Sequence, residues 1–324
     1  MTRTIRLQSD SNAHDRPWRV ALEQGFFTAE GLDVEYHEDN PKGTAGRVAD
    51  FSKRWKESQL QKGALEVYPV CEWGAIERVQ ALGGGKIIGL DTTVRTGALV
   101  VRKESQILSL RELRNVPIAV TWHAGTFYAA IEALEAAGVP FAEITLVHAN
   151  DRLEALLSGT TEAAALMEPL LSRALKAGAR KIAELRWRGG IVAGDGVDAE
   201  TAAKLRRALN RAIDWLRQNE ARSRAELLRD LAPEQREGAL LPELVGVKTY
   251  APREFQEKVD WMIDRGFLKQ APKYDEVVRS KQRRRARPKS KKPPAGKSPG
   301  AQTRRGKLKM VEAFPPRVSG HSTR

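Results

Sequence analysis

Hydrophobic and polar positions along this chain switch repeatedly between two periods. Residues 4–8 are short and alternating, and 32–36 (LDVEY) alternate with period two, as a half-buried strand does. Strands are also read at 65–70, 86–90 (KIIGL), 97–102 (GALVVR), 116–121 (VPIAVT), 144–148 and 163–167. Between them lie helical segments at 18–27, 45–61, 73–82, 125–137, 152–157 and 170–177, with a short helical turn at 110–113. Glycine supplies most of the stops: Gly25 and Gly31, Gly138 (with Pro140), Gly159 and Gly178. The longest helix is expected at 199–219, where Ala202, Leu205, Leu209, Ala212, Ile213 and Leu216 recur at helical spacing and Asp198 is a candidate N-cap. A second amphipathic helix is expected at 254–265. Strands alternating with helices predict an α/β protein with largely parallel sheets.

Charge changes the picture at one end only. The 55 Lys+Arg and 41 Asp+Glu give a formal charge of +14, which suggests a nucleic-acid binder. Residues 279–324 hold 16 of those cations and one acid, Glu312, so the preceding 278 residues carry a net −1. The tail combines Lys, Arg, Pro, Gly and Ser with little apolar surface to offset ordering entropy, and is expected to be disordered. Through counterion release it is a candidate for weak binding to nucleic acid or an anionic surface. Its Lys/Arg run has no interleaved aromatics, so base stacking is not implied.

The single cysteine, Cys71, excludes an internal disulfide and an all-cysteine metal site. No run approaches the roughly 18 apolar residues of a membrane span. The start shows no apolar core of a secretory signal peptide, which points to the cytoplasm, or to the periplasm if a leader is missing.

Four stretches, in order, carry a resemblance. They are ALEQGFFTAEGLDVEY at 21–36, GALVVRKESQILSLRELRNVPIAVTWHAGT at 97–126, LEALLSGTTEAAALMEPLLSRALKAGAR at 153–180 and REFQEKVDWMIDRGFLKQAPKYDEVV at 253–278. Together they resemble the type II solute-binding proteins of ABC importers, in the branch that takes up aliphatic sulfonates, taurine, nitrate or thiamine-type pyrimidines. The resemblance implies a two-lobed α/β periplasmic-binding-protein fold with a ligand cleft between the lobes. Lobe one would comprise 1–98 and 190–278, lobe two 99–189, with 279–324 as the basic tail. It further implies a small polar or anionic organic ligand and an ABC permease as partner, with no cofactor. Two motifs depart from the family. Lys62-Gly63-Ala64-Leu65-Glu66 stands where Gly-x-Asp is usual, and Gly159-Thr160-Thr161-Glu162-Ala163 where Gly-x-Val-Asp-Ala is usual. Some cytosolic enzymes, among them sulfinate desulfinases, also resemble this fold, and fold alone does not separate binding from catalysis.

The candidate site residues follow from strand ends. Cys71 ends a predicted strand and begins a helix, where the dipole would favour thiolate while Glu72 opposes it. Trp73 would wall a planar ligand. His14, in the first strand-to-helix loop, and His123, before a helix, are candidate bases for Cys71 if the protein is a hydrolase, lyase or desulfinase-like enzyme. The ordinary alternatives are a buried inert thiol and loop histidines. His37 and His148 end strands at the rim. The turn His123-Ala124-Gly125-Thr126 offers backbone N–H groups and a hydroxyl to an anion, a contact the family commonly makes, or is simply capped by Thr126. Glu168 would face a ligand amine or ring N–H, or pair with an arginine such as Arg16 or Arg95. Gly83-Gly84-Gly85 lacks the context of a phosphate loop. No Cys/His cluster predicts a metal.

Overall fold

A computed structural model describes residues 4–8, 12–37, 53–229, 231–236, 239–279 and 309–312. The strands are β1 (Thr4–Leu7), β2 (Asp33–Tyr36), β3 (Val67–Cys71), β4 (Lys86–Val101), β5 (Pro117–Val120), β6 (Thr145–His148), β7 (Ala163–Leu166), β8 (Arg180–Ala193), β9 (Glu243–Leu244) and β10 (Lys309–Glu312). The helices of the first half are α1 (Asn12–Glu23), α2 (Phe26–Ala29), α3 (Trp55–Gln61), α4 (Glu72–Leu82) and α5 (Gly125–Ala136). Those of the second are α6 (Arg152–Leu157), α7 (Leu170–Lys176), α8 (Ala199–Gln218), α9 (Glu220–Arg229), α10 (Pro233–Arg236), α11 (Pro252–Asp264) and α12 (Tyr274–Val277). The chain divides into two compact units, Met1–Thr96 with Arg186–Lys307, and Gly97–Leu185 with Leu308–Arg324. The divisions fall inside β4 and β8.

In the first unit the strand order is β4-β8-β3-β1-β2, with β9 on β4. β1 pairs in parallel with β2 (Leu7↔Tyr36) and β3 (Leu7↔Val67), and β3 pairs antiparallel with β8 (Cys71↔Gly189). The core gathers Ile5, Leu7, Trp18, Val20, Phe27 and Val34 against one face of α8, whose Ala202, Leu205, Leu209, Ala212, Ile213 and Leu216 are all buried. Asp198 caps α8 by accepting the N–H of Thr201 at 2.7 Å, as its position before the apolar stripe predicts.

The first helix departs from expectation. Instead of 18–27, α1 begins at Asn12, and the left-handed Gly25 (φ 67°) separates it from α2. The early start brings His14 out of the expected loop and into the first turn of α1.

β4 also departs. The expected strands at 86–90 and 97–102 are one continuous 16-residue strand, and β8 has no counterpart among the expected strands. Asp91 lies between the two expected strands, and an isolated carboxylate is costly inside a sheet. The structure satisfies it. Asp91 Oδ1 accepts from Trp18 Nε1 (3.2 Å), Thr92 N (2.7 Å) and Thr92 Oγ1 (3.1 Å), and Oδ2 from Arg95 (3.3 Å). Gly189 lets the neighbouring strand approach this carboxylate, since a Cβ there would lie 2.8 Å from Asp91 Cβ.

In the second unit the order is β10-β6-β5-β7-β4. β5 is parallel to β6 (Val120↔His148) and to β7 (Ala119↔Ala164), while β4 runs antiparallel to β7 (Leu99↔Ala165). β10 adds in parallel to β6, with Lys309↔Thr145 and Glu312↔His148. That strand lies within the tail expected to be disordered. The local KMVE stretch carries Met310 and Val311, enough apolar character to pair where the rest of the tail has little. The remainder of that expectation, like the first part of the helix expected at 45–61, lies outside the described residues.

Among the described residues no helix is long and apolar enough to cross a membrane, and no group of three or more His, Cys, Asp or Glu is arranged to hold a metal ion.

Candidate functional site

Parallel strands that share a direction deliver the residues after them to one edge, and that edge is where ligands bind in open α/β sheets. In the second unit β5, β6 and β7 end together at Val120, His148 and Leu166. The turn 121–125, residues 149–152 and Glu168 therefore collect at one edge.

After β5 the chain turns sharply. His123 holds a left-handed backbone (φ 58°), rare for a residue with a side chain, and Ala124 is the N-cap of α5 in extended conformation. The His123 ring stacks near Phe127 and Tyr128 (centroids 5.7 and 6.3 Å), with Nδ1 3.2 Å from Tyr128 Oη. No side chain caps α5. The Gly125 and Thr126 N–H groups, being in the first turn, have no helical carbonyl to bond. Thr126 is not the cap that its hydroxyl suggested; it lies one residue inside the helix, buried, with a different partner.

That partner is Arg152, the first residue of α6. Its Nη1 donates to Thr126 Oγ1 at 3.0 Å and to the Ala165 carbonyl of β7 at 2.6 Å. Among the described residues no carboxylate lies within ion-pair distance of it. The adjacent Asp151 is occupied as the N-cap of α6, accepting the Glu154 N–H at 3.0 Å. Burial lowers the Arg152 pKa to about 10, with Asp151 pulling weakly the other way. Sequence reading missed this residue. Its only signal was a position directly after a strand-end loop, which many surface arginines share.

His148 accepts the Trp122 N–H at Nδ1 (3.3 Å) and packs against the Trp122 ring (5.2 Å), so its proton belongs on Nε2. Glu168 accepts the Ser172 N–H at 3.1 Å, which ties it to the first turn of α7.

The first unit has an equivalent edge at the ends of β1, β2 and β3, holding His14, Tyr36 and Cys71. His14 and Asp15 are buried within α1. The Tyr36 hydroxyl is buried too, and burial pushes its pKa well up, with Asp15 adding to the shift and Arg19 opposing it. His37 packs edge-on to Trp55 at 5.2 Å.

Cys71 ends β3 and is the N-cap of α4, as its sequence position suggests, but only 3% of it is exposed. Burial raises the thiol pKa, and Arg78 offsets only part of this. Desolvation thus outweighs the helix dipole, and of the two readings of Cys71 the burial favours the inert neutral thiol over the thiolate. Glu72 pairs with Lys258 of α11 at 2.8 Å, and that ammonium lies 4.4 Å from the centre of the Trp73 ring. Trp73 is 1% exposed and packs on Trp261, so it is a core contact between α4 and α11 rather than a wall for a ligand.

No family model and no curated protein matches this sequence. Solved structures do match. The periplasmic aliphatic sulphonate binding protein SsuA from Escherichia coli is 13% identical with a TM-score of 0.63, covering 92% of this chain and 99% of its own. A Candida albicans gene product described as having the generic periplasmic binding protein structural fold is 14% identical at a TM-score of 0.56, over 75% and 82% of the two chains. The desulfurization enzyme DSZB is 13% identical at a TM-score of 0.58, over 85% and 96%. At these identities the likeness is one of architecture: the chain has the mixed α/β fold of the periplasmic binding proteins.

Proposed function

We propose that this protein is a solute-binding protein that holds a small polar or anionic organic molecule, as the sulfonate-binding proteins of this fold do, with an ABC permease as its partner. The observation that carries the reading is the edge of the second unit. There the uncapped N–H groups of Gly125 and Thr126 stand at the start of α5, a setting that favours an oxyanion. His123, His148 and Glu168 supply further polar groups at the same edge. The enzyme reading draws on the likeness to the desulfurization enzyme, but its nucleophile would be Cys71, and a buried neutral thiol is poorly suited to that role.

Calorimetric titration with short aliphatic sulfonates and carboxylates tests the proposal, with mass spectrometry of the recovered ligand. Saturable binding of at least one, recovered unchanged, is the expected result. Failure of every member to bind at millimolar concentration, or conversion of the bound member to product, would overturn it.

A further inference from the structure

The Arg152 guanidinium is part-buried, and a charge withdrawn even partly from water is ordinarily offset by a carboxylate at ion-pair distance. Arg152 has none. Its Nη1 is used on two neutral acceptors, the Thr126 hydroxyl and the Ala165 carbonyl, which fix the side chain against the start of α5. Neither bond neutralises its charge. Nε and Nη2 donate to no described residue. Thr126, whose hydroxyl accepts from Nη1, and Gly125 begin α5, where the helix end carries a partial positive charge.

We propose that Arg152 is a ligand-binding residue, whose Nε and Nη2 donate together with the N–H groups of Gly125 and Thr126 to the oxyanion end, carboxylate or sulfonate, of the solute. This deepens the solute-binding reading and rests on it. One guanidinium and about half a charge from the helix end match a singly charged group. The Nη1 bonds hold the fork in place before the ligand arrives, so little side-chain entropy remains to be lost on binding.

The test uses the full chain, with methanesulfonate and acetate as probes titrated separately to show which oxyanion is preferred. Arg152→Gln should weaken the preferred probe by about tenfold or more, the loss of two charge-assisted hydrogen bonds. Arg152→Lys, which keeps charge but not the fork, should fall between it and the parent. A parent that binds a probe while Arg152→Gln binds it within twofold overturns the role of Arg152 and leaves the solute-binding reading standing. A parent that binds neither probe, nor any other small anion, overturns both.

Should either variant fail to fold, phenylglyoxal modification of the unaltered protein gives an independent readout. Saturating probe should protect the peptide carrying Arg152. Equal modification with and without it would overturn the assignment.

Discussion

At the scale of single residues, Cys71 shows how a strand-to-helix junction settles a thiol's chemistry. The helix start favours thiolate, but the side chain is enclosed by the elements around it. A Cβ on Gly74 would approach Sγ to 2.9 Å. Because burial raises the folded-state pKa above that of an unfolded thiol, about 8.5, the sign of the pH effect follows. Stability linked to Cys71 is fully present below about pH 8.5 and is lost above it, where the unfolded chain releases its proton first. Iodoacetamide should therefore label native Cys71 far more slowly than a free thiol. Cys71→Ala should flatten the alkaline fall in thermal stability while costing about 1 kcal/mol at neutral pH. Fast labelling at pH 7 would contradict this account. The junction itself was legible in the sequence, because VYPVCEWGAIERV changes period at Cys71. The burial was not, since it depends on α4 packing that no local pattern encodes.

At the scale of elements, the clearest sequence signals were those with punctuation. The start of α8 at Asp198 and the ends of α5, α6 and α7 at left-handed Gly138, Gly159 and Gly178 follow from capping and backbone freedom alone. β8 stayed hidden because arginines and two glycines interrupt its apolar positions, and its partners are remote in sequence. Those glycines have a packing reason. A Cβ on Gly190 would sit 2.8 Å from Ala75 Cβ of α4, a rigid contact that cannot rotate away. Gly190→Ala should destabilise the protein by about 1–3 kcal/mol in denaturant melts. Ala75→Gly in the same chain should recover much of that loss, beyond its own helix-propensity cost. Additive effects of the two changes would mean that β8 and α4 do not meet as described. The candidate site divides along the same line. The positions of His123, Gly125 and Glu168 after strand ends follow from the strand pattern, while that of Arg152 needed the tertiary meeting of α5, α6 and β7.

At the scale of the whole molecule, the second unit is an insertion between two halves of the first, entered through β4 and left through β8. The tail returns to the second unit as β10, covering the outer edge of β6 over four residue pairs. Ending the chain after Val278 should leave the melting temperature nearly unchanged, because four edge pairs add little. It should bare the backbone of Thr145–His148 and promote concentration-dependent association, seen by light scattering. A truncated protein as monodisperse as the parent would deny β10 that protective part. The insertion also sets a timetable for synthesis. Cys71 at the end of β3 pairs with Gly189 of β8, which the ribosome delivers 118 residues later. At about 5–20 residues per second that is a wait of about 6–24 s. For that interval the β8-facing side of β3 stands unpaired in the nascent chain.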